Sequence, residues 1–269
     1  MKHFSIAFII LFTTISCVTT NPSPSFDNKV NTQVALAFTA TALDEIVNKP
    51  TDTPIPTVEE TLLPTSTEVM LEGDPKNSLG TPTWRDDLST GINWNLETSN
   101  ITFGNTKFSA ENGKLIATSS STSEGYVWWL NFRRIKNAYI EATFEIDSCS
   151  GNDQYGLVVR SVNYDDGYAY YYVITCDGKY DIRRRTSAGS VMLFGQPESD
   201  QINTGSNQTN TLGVWMKNDI LRLYINGQFL NEISDKELLD EGYFGLFINA
   251  VRTPGFTIKM DEIAYWLLD

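Results

Sequence analysis

The sequence predicts an all-β fold, a two-sheet antiparallel sandwich preceded by a disordered stalk. Three observations predict it. From Trp84 onward, apolar stretches of strand length recur about every ten residues between turn signals. Segment 139–147 alternates without a break: Ile140, Ala142, Phe144 and Ile146 fall on one face, and Glu141, Thr143, Glu145 and Asp147 on the other. That is the period of a half-buried strand. Before Trp84 there is no Trp and no Tyr, although the chain holds 6 and 12 of them.

Taken in order, the chain opens with Lys2 and an apolar run from Phe4 to Phe12. At about nine residues the run is too short to span a bilayer as a finished helix. Thr14, Ile15, Ser16 and Cys17 close it. This resembles the lipobox of bacterial lipoproteins, although that family prefers Leu where Thr14 stands. The resemblance implies a signal peptide over 1–16, lipidation at Cys17 and an extracytoplasmic lipoprotein held at the bacterial cell surface. The alternative is an ordinary cleaved leader with an incidental cysteine. Segment 17–80 reads as a lipid-anchored linker. It is rich in Thr, Ser and Asn, with Pro22, Pro24, Pro50, Pro54, Pro56, Pro64 and Pro75, and cannot bury enough apolar surface to offset its ordering entropy. Within it, 33–47 has the composition of a short helix, which is marginal in water without a partner surface.

The sandwich is expected over 84–269. Segments 139–147, 154–162, 168–176 and 179–185 are joined by short connections and predict a four-strand antiparallel meander. Asn226-Gly227 marks a two-residue hairpin, since both residues accept the positive φ that such a turn needs. Helical periodicity is almost absent, and 235–240 has room for one turn at most. Roughly 185 residues of this kind suffice for one proper core, and a monomer is expected.

Composition excludes several functions. The formal net charge is −13, which argues against nucleic acid and against anionic lipid as partners, leaving the lipid anchor as the membrane contact. The one histidine, His3, lies in the leader, so the mature chain has no imidazole for a nucleophile pair or a zinc site. Of the 3 cysteines, Cys149 and Cys176 remain beside Cys17, and in an oxidising compartment they are expected to pair; two buried thiols are the alternative. No cofactor is expected. In the loop Asn163-Tyr164-Asp165-Asp166-Gly167, the alternative to a plain acidic turn is a structural calcium at Asp165 and Asp166.

The successions Asn210–Trp215, Leu221–Gln228, Gly242–Phe247 and Phe256–Ile263 resemble the concanavalin A-like (laminin G-like) domains, and are similar to the group named after 3-keto-disaccharide hydrolases. The resemblance implies a jelly roll whose last strand pairs near its first. It implies little about activity, because this fold hosts lectins, glycosidases, adhesion modules and spacers.

Glu145-Ile146-Asp147 resembles half of the carboxylate motif of family 16 glycoside hydrolases. The second Glu is missing, since Cys149 and Ser150 stand where it is needed. The 3-keto-disaccharide group implies a hydrolase or lyase, but the histidine expected there is absent. No catalytic residue is assigned. A binding surface remains. With tight hairpins, Arg160 falls beside Tyr170, Tyr170 beside Arg185 and Tyr172 beside Arg183, with Glu145 near on the same face. Phe144, Val159, Tyr171 and Ile182 then face the core. Flat rings beside forked donors suit a carbohydrate ligand. Trp128 and Trp129 alternate, so one extends this platform and the other enters the core. The expected function is carbohydrate binding without catalysis. The alternatives are a hydrolase or lyase on (3-keto) glycosides and a protein-interaction or spacer module.

Overall fold

A computed structural model describes residues 73–269. The leader, Cys17, most of the linker and the helical segment 33–47 lie outside the described residues.

Two antiparallel sheets face each other. The larger, nine-stranded sheet runs β13 (Gln228–Ser234), β12 (Ile220–Ile225), β11 (Gln208–Lys217), β6 (Ala138–Ile146), β15 (Phe256–Leu267), β4 (Lys114–Ser119), β3 (Thr106–Glu111) and β2 (Ile101–Phe103), with β1 (Trp84–Asp86) also on β15. The smaller, six-stranded sheet runs β10 (Gly189–Met192), β9 (Tyr180–Thr186), β8 (Ala169–Thr175), β7 (Gln154–Ser161), β14 (Gly242–Asn249) and β5 (Val127–Ile135). The expected jelly-roll sandwich is therefore present. Its last strand pairs with its first, Trp84 opposite Tyr265.

The core lies between the sheets. Phe108, Ile140, Phe144, Leu212, Val214, Leu223, Ile258 and Met260 enter it from the larger sheet. Leu157, Val159, Tyr170, Tyr172, Ile182, Phe244 and Leu246 enter from the smaller one. Each such side chain contributes about 1.5–3 kcal/mol relative to exposure. The Asn226-Gly227 hairpin forms with φ of 50° and 76°, so Ile225 pairs with Gln228.

The four-strand meander is corrected. β7, β8 and β9 do follow one another, but β6 lies in the other sheet, between β11 and β15. Alternation showed which face of segment 139–147 is buried, and it carried no information on which strand pairs with it. After Ile146 the chain crosses to the other sheet through 147–153. The Cys149–Cys176 disulfide, with Cα atoms 5.9 Å apart, fastens this crossing to the β8–β9 turn. Asp153 fastens it to the β14–β15 loop. Its Oδ1 accepts from the backbone N–H of Val251, Arg252 and Thr253 at 2.7, 2.6 and 3.2 Å, and its Oδ2 accepts from Ser150 N–H.

The described structure includes residues before the expected boundary at Trp84. The short helix α1 (Lys76–Leu79) lies on the outer face of the larger sheet. Lys76 bonds Glu141 at 2.6 Å, Glu141 accepts from the Tyr139 hydroxyl, and Trp266 donates to Gly80 O at 2.8 Å. Leu79 covers the cluster of Tyr139, Tyr224 and Trp266. Burial pushes the Glu141 carboxyl up, against the pull of Lys76.

Candidate functional site

The platform of Glu145, Arg160, Tyr170, Tyr172, Arg183 and Arg185 is not assembled. Val159, not Arg160, lies opposite Tyr170, and Tyr170 lies opposite Arg184. Tyr171 meets Arg183, and Tyr172 meets Ile182. Two local features move the register by one residue. Arg160 sits in a bulge with φ 50°, where β14 skips between Tyr243 and Gly245. The β8–β9 connection holds three residues rather than two, because Thr175 N–H bonds Lys179 O and Gly178, at φ 89°, completes the loop. A one-residue slip exchanges the faces of a strand.

Tyr170, Tyr172 and Arg160 consequently point inward. Tyr170 donates to Asp235 at 2.6 Å and accepts from Leu238 N–H, and Tyr172 donates to Tyr224 O across the sandwich. Arg160, 1% exposed, donates to Leu238 O and Lys136 O, and burial lowers its pKa. Glu145 lies on the outer face of the larger sheet, bonded to Lys114, while its neighbour Asp147 accepts from Lys259 at 2.7 Å. Tyr171, expected in the core, lies instead on the outer face of the smaller sheet.

Arg183 and Arg185 do reach an outer face, and rings await them there. Arg183 lies 5.5 Å over Tyr126 and Arg185 5.4 Å over Trp128, while Arg134 lies 5.4 Å over Tyr243. Tyr171, Tyr126 and Phe247 pack together beneath, with Tyr126 and Phe247 stacked at 4.8 Å. Arg183 is neutralised by a bidentate pair with Asp181, both bonds 2.9 Å. No ion pair to Arg185 occurs among the described residues. Trp128 faces outward and Trp129 packs against the core, as the alternation implies.

Beside Trp128, along β5, opens a pocket of about 480 Å³. Three parts build it. The first is the one-turn 3-10 helix Ile92–Trp94, which buries Trp94 and pins its indole N–H on Asp86 at 3.0 Å. Asn95 follows in the left-handed region at φ 56° and leaves its amide at the pocket wall. The second is β5 itself, with Trp129 donating to Trp94 O at 2.8 Å and stacking on Phe108 at 5.0 Å. The third is loop 162–168. Asn163 Oδ1 accepts from Asp165 and Asp166 N–H, and Trp128 Nε1 donates to Tyr164 O at 3.0 Å. The Tyr164 ring lies 4.4 Å from Tyr243. Phe103 and Phe132, 64% and 54% exposed, complete the rim.

This set of side chains can hold a ring-shaped ligand between flat apolar surfaces. Trp128 and Trp129 spend their indole N–H groups on protein carbonyls, so neither offers that donor to a ligand. Among the described residues, the side chains of Asn95 and Asp165 have no hydrogen-bond partner, and both line the pocket. Among the described residues, Asp165 is the only carboxylate in the lining. Asp166, the other residue of the calcium alternative, accepts from Asn163 Nδ2 at 2.7 Å. Among the described residues no group of three or more His, Cys, Asp or Glu is placed to hold a metal.

The pocket residues come from four separated segments, and only Trp128, Trp129 and Asp165 drew attention in the sequence. The signal that could have found the others is aromatic residues where burial is least expected: Tyr164 inside a polar turn and Phe132 at an alternation break before Arg133-Arg134.

No family model matches the chain, and no curated protein does. Solved structures do. A protein of unknown function with a galectin-like fold from Bacillus subtilis is 11% identical with a TM-score of 0.50, over 70% of this chain and 96% of that one. The carbohydrate binding module CBM66 from Bacillus subtilis is 15% identical with a TM-score of 0.45, over 56% of this chain and 86% of that one. A xylan beta-1,4-xylosidase from Bacillus halodurans is 16% identical with a TM-score of 0.46, over 68% of this chain but 38% of that one. At 11% identity, the likeness to the Bacillus subtilis protein with a galectin-like fold bears on the fold alone, a two-sheet antiparallel sandwich.

Proposed function

We propose that the sandwich binds carbohydrate in the pocket beside Trp128, without catalysis, and that lipid at Cys17 tethers it outside the cell. The observation that carries the reading is the pairing of exposed rings with two polar side chains, Asn95 and Asp165, that have no partner among the described residues, in one pocket. Rings stack on the C–H faces of pyranoses, and the amide and carboxylate meet hydroxyls. A single carboxylate in the lining supports the non-catalytic role, because glycoside hydrolysis by the common route needs two flanking the bond. On the outer face of the larger sheet, several charges are taken up in pairs such as Lys114–Glu145 and Lys259–Asp147.

The test is a glycan array on the purified protein, repeated with Trp128→Ala, Phe132→Ala and Asn95→Ala. Binding that falls at least about tenfold in the ring variants supports the pocket. Phe132 and Asn95 are exposed, so those variants keep the fold if Trp128→Ala does not. Glycan binding indifferent to all three moves the site elsewhere, and a blank array favours a protein partner or a spacer.

A further inference from the structure

We infer that the pocket selects glycans carrying a protonated amine, such as N-deacetylated hexosamine units, over neutral and acidic ones. The inference rests on the carbohydrate reading and narrows it.

Charge and ring geometry both point this way. Among the described residues, Asp165 is the one charged side chain in the lining, and no Lys or Arg lines the pocket. Its carboxylate has no hydrogen bond or ion pair among the described residues, so it is not neutralised from within. Loop closure places it there: Asn163 takes the Asp165 and Asp166 backbone N–H groups, and Asn163 Nδ2 ties up the Asp166 carboxylate while leaving that of Asp165 unpaired. The rings of Trp128, Phe132 and Tyr164 line the same pocket, and an aromatic face carries the negative side of a quadrupole. Burial holds the Tyr164 phenol above its ordinary value, so it stays neutral and adds no cation or anion. A ring-lined wall with one free carboxylate, in a chain of net charge −13, attracts cations and repels uronates and sulfates.

The same neighbourhood already takes cations. Arg185, Arg134 and Arg183 each lie 5.4–5.5 Å over the faces of Trp128, Tyr243 and Tyr126. These guanidiniums are the protein's own occupants of the ring faces outside the pocket. An ammonium on a sugar is the matching occupant inside it, with Asp165 as its counter-ion and the pyranose body on the rings.

The test uses three β-1,4-linked tetrasaccharides of one shape: a glucosamine tetramer, cellotetraose and a glucuronate tetramer. They differ in carrying an ammonium, only hydroxyls, or carboxylates. Titration calorimetry on the whole protein, at low salt and at a pH that keeps the amine protonated, should find the amine form about tenfold tighter than cellotetraose. The glucuronate form should be weakest. Asp165→Asn should shrink the amine-to-hydroxyl ratio to within about twofold, and salt should shrink it in the native protein. Cellotetraose binding as tightly as the amine form overturns the inference and leaves the carbohydrate reading standing. Tightest binding of the glucuronate form overturns it in favour of Arg185 as an anion receptor. If none of the three binds, the inference fails; a blank glycan array as well removes the carbohydrate reading with it.

Discussion

Arg185 lies 5.4 Å over the ring of Trp128, although three strands separate β9 from β5 in the sheet order. The contact closes because the ring reaches across the outer face to Tyr171 at 6.4 Å, and because Gly167 leaves room. A Cβ on Gly167 would meet the Trp128 ring at 2.6 Å.

Gly167→Ala should therefore displace Trp128. Gly167 also sits at φ 65°, where an L side chain costs roughly 1–2 kcal/mol. The expected outcome is a shifted tryptophan emission, glycan binding reduced about tenfold and a lower urea midpoint. Unchanged emission and binding would show that Trp128 is not held by this loop.

Tyr170 acts as a latch for the segment after β13. Its hydroxyl joins Asp235 and Leu238 N–H, and Arg184 reaches the same carboxylate. Tyr170→Phe should cost about 1–3 kcal/mol in chemical denaturation. Glycan binding should persist, because this ring faces the core. A loss of binding at full stability would contradict the inward placement.

The acid limb of stability should depend on Asp153. Burial opposes its charge, but the Thr253, Arg252, Val251 and Ser150 donors outweigh burial and hold the carboxyl below its ordinary range. A carboxyl lower in the folded than in the unfolded state contributes stability in full above its unfolded value, about pH 3.9. That contribution is lost as pH falls through the folded value. Asp153→Asn should cost about 1–3 kcal/mol at neutral pH and flatten the decline below about pH 4. Urea midpoints measured from pH 7 to pH 2 check both.

The Cys149–Cys176 bond closes a loop with a sequence separation of 27. Reduction, or Cys149→Ser with Cys176→Ser, should remove about 3 kcal/mol. Equal unfolding curves with and without reductant would show that the crossing is held by its hydrogen bonds without help from the disulfide.

Sequence pattern carried the fold further than it carried the site. The alternation of segment 139–147 and the Asn226-Gly227 turn both describe local geometry, and both are present. The failures concern relations between strands. No periodicity tells a turn of two residues at Asp177-Gly178 from one of three at Cys176–Gly178, nor announces a bulge at Arg160. Yet these two details send Tyr170 and Tyr172 inward and Tyr171 outward. Arg183 and Arg185 still reached aromatic rings, but these belong to β5 and the residue just before it, far from them in sequence. The pocket was illegible for the same reason: Asn95, Phe103, Phe132 and Tyr164 become neighbours only when the sandwich closes.

The docking of α1 fixes where the chain can be trimmed for laboratory use. A fragment starting at Trp84 looks natural from composition, yet it strips Lys76 from the half-buried Glu141 and takes away Gly80, the acceptor of the Trp266 indole. It also uncovers Tyr139 and Tyr224, and wet aromatic patches of this kind cause clumping during purification. A fragment starting at Gly73 keeps that cover in place.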